Sequence, residues 1–134
     1  VMQFSSNLSI QDIVSFGLKH EKARVEAASY NMAIANVALP NKKANSVLHV
    51  KTNLSFLNDI QNSIHIESIP NANTKSVYEP SHPLADKMGM VFYPEVNTAT
   101  EMATLVSASR AYDANIRIFN TIKDMTTKAY EIGK

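Results

Sequence analysis

Residues 98–132 read TATEMATLVSASRAYDANIRIFNTIKDMTTKAYEI, with no proline or glycine to interrupt them. A stripe of side chains runs through Met102, Leu105, Ser109, Tyr112, Ile116 and Phe119 in steps of three and four. Ile122, Met125, Ala129 and Ile132 continue it at nearer 3.6 spacing. One stripe on an otherwise polar rod predicts a long amphipathic helix with a single buried seam. Thr98 and Glu101 have capping-box spacing at its start, and Gly133 stands where a helix commonly ends.

Such a helix needs a long partner, and the other end of the chain supplies one. From Ser9 to Leu39 the sequence again reads as helix, with Ser9 as N-cap and Asp12 three residues on. Leu18, Val25, Met32 and Leu39 form one heptad row; Ala28 and Ala35 stand in the other, which Glu21 breaks. Pro40 ends the span, because the residue before a proline avoids helical dihedrals. Thirty helical residues make a rod of about 45 Å. Neither helix is apolar all round, so each is expected to bury its stripe against the other as a coiled coil.

Residues 41–97 follow a different pattern and hold four of the five prolines. Short apolar runs, partly alternating and rich in β-branched residues, predict strands at Val47–Val50, Leu54–Leu57, Ile64–Ile66, Val77–Tyr78 and Met90–Tyr93. Pro70-Asn71-Ala72-Asn73 reads as a hairpin loop, and Pro80-Ser81-His82-Pro83 as an irregular turn. The expected fold is mainly α with a small β insertion. An N-terminal helix occupies 1–40, a β-rich middle 41–97 and a C-terminal helix 98–134.

Composition removes whole classes of chemistry. The 134 residues are 45% hydrophobic and 19% charged, a globular balance in a single domain's length. No cysteine is present, so disulfides, thiol catalysis and Cys-ligated metals are excluded. Three glycines cannot build a phosphate-binding loop. A net charge of +1 argues against a nucleic-acid surface. No run of about 18 apolar residues offers a membrane span, so no direct membrane insertion is expected. No charged n-region precedes an apolar h-region, so no cleavable secretory signal is expected.

The titratable residues form no recognisable centre. His20, His49, His65 and His82 lack metal-ligand spacing, His65 suits the outward side of a strand, and His82 suits a turn. No serine sits in a Gly-x-Ser-x-Gly elbow, and the carboxylates are scattered. Lys19, Lys22, Arg24, Lys42 and Lys43 interleave with Glu21 and Glu26, which reads as a solvated, salt-bridged face. No cofactor, metal or small-molecule substrate is expected. Polar residues on or beside the seams carry more information. Asn31, Ser109, Arg110, Asn115, Asn120 and Lys123 stand where coiled coils use polarity to set register and partner number. Asn115, beside Tyr112 and Ile116, is expected to make an interhelix hydrogen bond.

Several runs resemble the bacterial flagellar basal-body rod proteins, most closely the C-type subunit of the proximal rod. They are Val77-Tyr78-Glu79-Pro80-Ser81-His82-Pro83-Leu84-Ala85-Asp86, Met88-Gly89-Met90-Val91, Pro94-Glu95-Val96-Asn97, Glu101-Met102, Ser107-Ala108-Ser109-Arg110-Ala111-Tyr112 and Ala114-Asn115. Asn120, Lys123 and Gly133 fill the family's last positions, and the match spans about sixty residues. Ser15-Phe16-Gly17, Arg24 and Asn31-Met32-Ala33 resemble the N-terminal helix of rod and hook proteins, with Ile34 where the family has a second Asn.

The resemblance implies a non-catalytic structural subunit. Such proteins pair their terminal helices and assemble helically into a hollow rod that transmits torque and lines the export channel. They leave the cell through the flagellar type III apparatus without a cleaved signal and lodge in the periplasm. The implied partners are further copies, other rod subunits, the MS-ring, the export gate and hook–basal-body adaptor proteins. Expected subunit contacts are Leu18, Val25, Met32, Leu105, Tyr112, Ile116, Phe119 and Ile122, with the polar Asn31, Ser109, Arg110 and Asn115 among them. The rival readings are another rod or hook-type axial subunit, and a coiled-coil adaptor that does not polymerise.

Overall fold

The computed structural model describes residues 9–42, 46–52, 63–70 and 72–133. Helix α1 (Ile10–Ile34) is followed by strands β1 (Ser46–Thr52), β2 (Ile64–Pro70), β3 (Thr74–Tyr78) and β4 (Met90–Pro94), then helix α2 (Thr98–Ile132). Four of the five predicted strand runs are present. Leu54–Leu57 lies outside the described residues, as do Lys43 and Asn71.

Helix α1 starts where its sequence directs. The Ser9 hydroxyl accepts from the Asp12 N–H at 3.1 Å, and the Asp12 carboxylate accepts from the Ser9 N–H at 3.0 Å. The same carboxylate takes the Ser9 hydroxyl proton at 2.7 Å. Hydrogen bonds from the Ser9 hydroxyl and backbone hold the Asp12 carboxyl below its ordinary value, because they favour the charged form.

The end of α1 departs from expectation. The helix stops at Ile34, before Pro40 can act. Short bonds from Ala35 N–H to the Met32 carbonyl and from Val37 N–H to the Ile34 carbonyl tighten and turn the chain. Leu39 then donates to the Phe92 carbonyl at 2.7 Å, and the Lys42 ammonium lies 4.8 Å from the Phe92 ring centroid. Leu39 is buried as its row implied, but as a strand bridge to β4 rather than as part of a helix. At α2 the cap is Asn97, whose side chain accepts from the Thr100 N–H at 3.2 Å; Thr98 is already helical. Gly133 is the C-cap.

The strands form two separate two-stranded antiparallel sheets, β1–β2 and β3–β4. The expected hairpin at Pro70–Asn73 is therefore not formed, because β2 and β3 pair with different partners. The β3–β4 connection explains its unusual composition. The Asp86 carboxylate accepts the Met88 N–H at 2.8 Å and the Met90 N–H at 2.9 Å. His82 accepts the Leu84 N–H on its ring nitrogen at 3.0 Å, as a turn residue should. Gly89 has φ +76°, and a Cβ there would meet the Tyr78 ring at 2.9 Å. Left-handed backbone without room for a side chain requires glycine. The Tyr93 hydroxyl donates to the Glu79 carboxylate at 3.1 Å; partial burial, then this bond, holds the phenol above its ordinary value.

The core is narrow and built from small residues. Its buried apolar members are Val14, Ala23, Ala27, Ala28, Ala35, Leu39, Val91 and Ala108. Alanine contributes little transfer free energy but lets backbones approach closely.

Candidate functional site

The two helices pack antiparallel. Asn31, late in α1, reaches Glu101, in the first turn of α2, with its amide 3.4 Å from the carboxylate. Gly17, early in α1, faces Asn115, far along α2. A Cβ on Gly17 would stand only 3.0 Å from the Asn115 amide nitrogen. The expected interhelix hydrogen bond of Asn115 is replaced by this close packing contact; its amide makes no hydrogen bond among the described residues.

The deepest row of contact is not the heptad row of large residues. On α1 it runs through Val14, Gly17, Ala28 and Asn31; on α2 Ala108 is fully buried. Ala28 and Ala108 are almost fully covered, and the larger neighbours lie on the flanks. Leu18, Val25 and Met32 on α1 are consequently half-buried, as are Leu105, Ser109, Tyr112, Asn115, Ile116 and Ile122 on α2. Val25, Ser109 and Tyr112 meet along one side of the pair, beside Lys22 and Asp113. Arg110 and Phe119 are exposed. Arg110 closes a separate shallow apolar strip on the outer face of α2, made by Ala99, Met102, Ala103 and Val106. Met102, read as part of the seam, lies on this outer face and is 54% exposed.

Asn31 is placed differently from its flanking neighbours. It is 4% exposed and committed inside the chain. Its amide donates to the Leu48 carbonyl at 2.9 Å, and its oxygen accepts the Leu48 N–H at 2.9 Å. One side chain thus imitates a neighbouring strand along the edge of β1. The sequence signals a polar residue on the seam but not this partner, since Leu48 lies across a loop.

Helix α2 outruns its partner. With Gly17 opposite Asn115, the start of α1 at Ile10 falls opposite about Ile122. The turns from Lys123 to Ile132 face no described part of α1. Met125 is 65% and Ile132 is 84% exposed. With Ile118, Phe119 and Tyr130 they leave apolar surface along the distal half of α2.

On the polar side of the helix pair the described residues are engaged with one another. A cleft of about 360 Å³ opens between α1, β1 and the start of α2, lined by His20, Arg24, Asn31, His49 and Glu101 among others. Arg24 is paired to Glu21 at 2.9 Å, and His20 lies 3.3 Å from Glu21 and stacks on Phe16. Among the described residues no three His, Asp or Glu side chains gather as a metal would require. No described helix is long and apolar enough to cross a membrane.

Comparison with known proteins bears on this surface. The family model for the C-terminal region of flagellar basal body rod FlgEFG proteins matches residues 89–132. The flagellar basal-body rod protein FlgC of Salmonella typhimurium is 34% identical over 131 residues, covering 95% of this chain and 98% of the relative. FlgC of Escherichia coli O157:H7 is 34% identical over 133 residues, covering 95% and 98%. FlgC of Bacillus subtilis is 30% identical over 132 residues, covering 97% of this chain and 84% of the relative.

Proposed function

Because this chain belongs to the family of flagellar basal-body rod proteins FlgC, and is thereby a structural subunit of the basal-body rod, we propose that it polymerises helically through its α1–α2 pair. The chain divides by role into residues 1–40 and 98–134, which build the rod wall, and residues 41–97, which pack on its outer side. Subunits add head to tail by a contact that does not close on itself, giving an open helical filament. The hollow product transmits torque and lines the export channel in the periplasm. The subunit reaches it through the flagellar type III apparatus and catalyses nothing. Its neighbours are further copies, other rod subunits, the MS-ring, the export gate and hook–basal-body adaptor proteins.

The observation that carries this reading is the imbalance of α2. Of its 35 residues only Ala108 is buried within the chain. The flanking Leu18, Val25, Met32, Leu105, Tyr112, Ile116 and Ile122 are half-covered, and Phe119 is exposed. A helix pair that satisfies so little of its own apolar surface is completed by equivalent pairs of adjacent subunits, packed as a coiled-coil shell. Ser109, Arg110 and Asn115 lie on or beside those flanks and set the register.

The test is restoration of swimming in cells lacking their own copy of the subunit. The unaltered chain restores it. Ile116→Asp abolishes it, because a carboxylate enters an apolar contact. Phe119→Ala weakens assembly by roughly 3–5 kcal/mol if the ring is fully covered in the rod. Normal swimming with both variants overturns the assignment of this surface.

A further inference from the structure

Each two-stranded sheet has one edge covered from within the chain and one edge that no described strand covers. In an antiparallel pair, the N–H and C=O of alternate residues point toward the partner strand and those between point away. In β1, Leu48 turns both groups to the Asn31 side chain, so that edge is closed by α1. The pairing Leu48↔Ser68 then leaves Ile64, Ile66 and Ser68 of β2 directing their backbone groups outward. In β4, Phe92 faces Leu39, which closes that edge too. The pairing Ser76↔Phe92 leaves Thr74, Ser76 and Tyr78 of β3 directing theirs outward. Among the described residues no strand pairs with either outer edge.

Native edges of this kind are commonly blunted by proline, bulges or short length. Neither edge carries a proline before Pro70, at the last position of β2. Ile66, Ile69, Val77 and Tyr78 are exposed on the two strands. The edges also match each other. Laid antiparallel with Ile66 opposite Ser76, the outward groups of Ile64, Ile66 and Ser68 meet those of Tyr78, Ser76 and Thr74. The same register sets Ile64 across from Tyr78, His65 across from Val77, and Ser68 across from Thr74. It sets the acid Glu67, which is exposed and lies 3.6 Å from Lys51 of its own chain, across from the base Lys75. β-Branched with aromatic, hydroxyl with hydroxyl, and opposite charges are the cross-strand pairs that stabilise sheets.

We propose that β2 of one subunit pairs antiparallel with β3 of a second copy, Glu67 against Lys75, joining the two sheets across the subunit boundary. The occupant is another copy because this chain itself carries both complementary edges, each left uncovered by the described residues. The contact is heterologous, since each copy offers one β2 edge and one β3 edge. It therefore propagates without closing, in keeping with a rod. This rests on the polymerising reading above and adds a second contact, distinct from the helical surface.

The absence of cysteine makes the test clean. His65→Cys and Val77→Cys form a non-hydrogen-bonded cross-strand pair in this register, with Cα atoms about 4.5 Å apart, within disulfide range. The two single-cysteine variants are expressed together in cells lacking their own subunit, swimming is scored, and disulfides are formed with a mild oxidant. The expected result is swimming cells with a cross-linked dimer containing both variants and little dimer from either alone. Adding Glu67→Lys lowers the yield about fivefold, the upper range for one cross-strand charge pair, and adding Lys75→Glu as well restores it. Swimming cells without the mixed dimer overturn the edge pairing and leave the rod reading intact. Failure of the unaltered chain to restore swimming overturns both. A chain carrying both cysteines that cross-links only within itself also overturns the pairing, because β2 and β3 then close as a hairpin of one chain.

Discussion

Asn31 ties three elements together through one side chain. Its amide holds both backbone groups of Leu48 at 2.9 Å and reaches Glu101, so α1, β1 and α2 meet on one residue. Asn31→Ala strands the Leu48 donor and acceptor together and is expected to destabilise the subunit by roughly 1–3 kcal/mol, read from the denaturant midpoint. Asn31→Asp gives a sharper result. An ionised carboxylate still accepts the Leu48 N–H but repels the Leu48 carbonyl and Glu101. Burial and that repulsion raise its folded-state value above the unfolded one. The stability of this variant is therefore greatest at acid pH and falls as pH rises through the raised value. A flat difference from the unaltered chain between mildly acid and neutral pH would show that the amide is not holding the joint. Helical spacing places Asn31 beside the seam, but no local pattern marks Leu48 as its partner. The contact spans a loop, and nothing in the spacing of α1 encodes which strand lies across it.

Among the elements, those with strong local chemistry were legible from sequence and those fixed by tertiary contacts were not. The start of α1 follows from Ser9 and Asp12 alone. Its end does not, because the Leu39 bridge to Phe92 draws the chain out of the helix before Pro40. The seam is only partly legible for a related reason. Its alanine row is buried at Ala28 and Ala35, whereas Leu18, Val25 and Met32 are half-buried and Gly17 packs on Asn115. Small residues win the axis because backbone proximity, not side-chain size, sets the contact. The cap of α1 carries a pH prediction. Its Asp12 carboxyl lies below its ordinary value through bonds from Ser9. The stabilisation is complete above the ordinary carboxylate range and is lost as pH falls through the lowered value. Protection of the first-turn amides of α1, taken relative to their intrinsic exchange rates, should fall over that acid window, and Asp12→Asn should remove this pH dependence. Unchanged protection across the window would mean the capping box does not hold this end.

At the scale of the whole molecule, the proposed reading has neighbouring subunits complete the chain. The sixty-residue resemblance implies this through motifs whose physical content is now visible. His82, Asp86 and Gly89 are the hydrogen-bonded frame of the β3–β4 loop. The sequence could not reveal how unevenly the two helices overlap, because that depends on where Gly17 meets Asn115. Beyond about Ile122, α2 continues for nearly three turns with Met125, Tyr130 and Ile132 exposed. A helical segment this short, facing no described part of α1, is marginal in water, since most helical stability in proteins comes from tertiary packing. In the free subunit, amides from Lys123 to Ile132 should exchange with little protection, while those around the buried Ala108 are slow. Assembly should raise protection at the distal turns selectively, by covering the apolar side chains that the chain leaves open. Hydrogen exchange read by mass spectrometry on dilute subunit and on isolated basal bodies compares the two states directly. Distal turns already as protected as Ala108 in the dilute subunit would mean that α2 needs no neighbour, and the case for completion by assembly would fail.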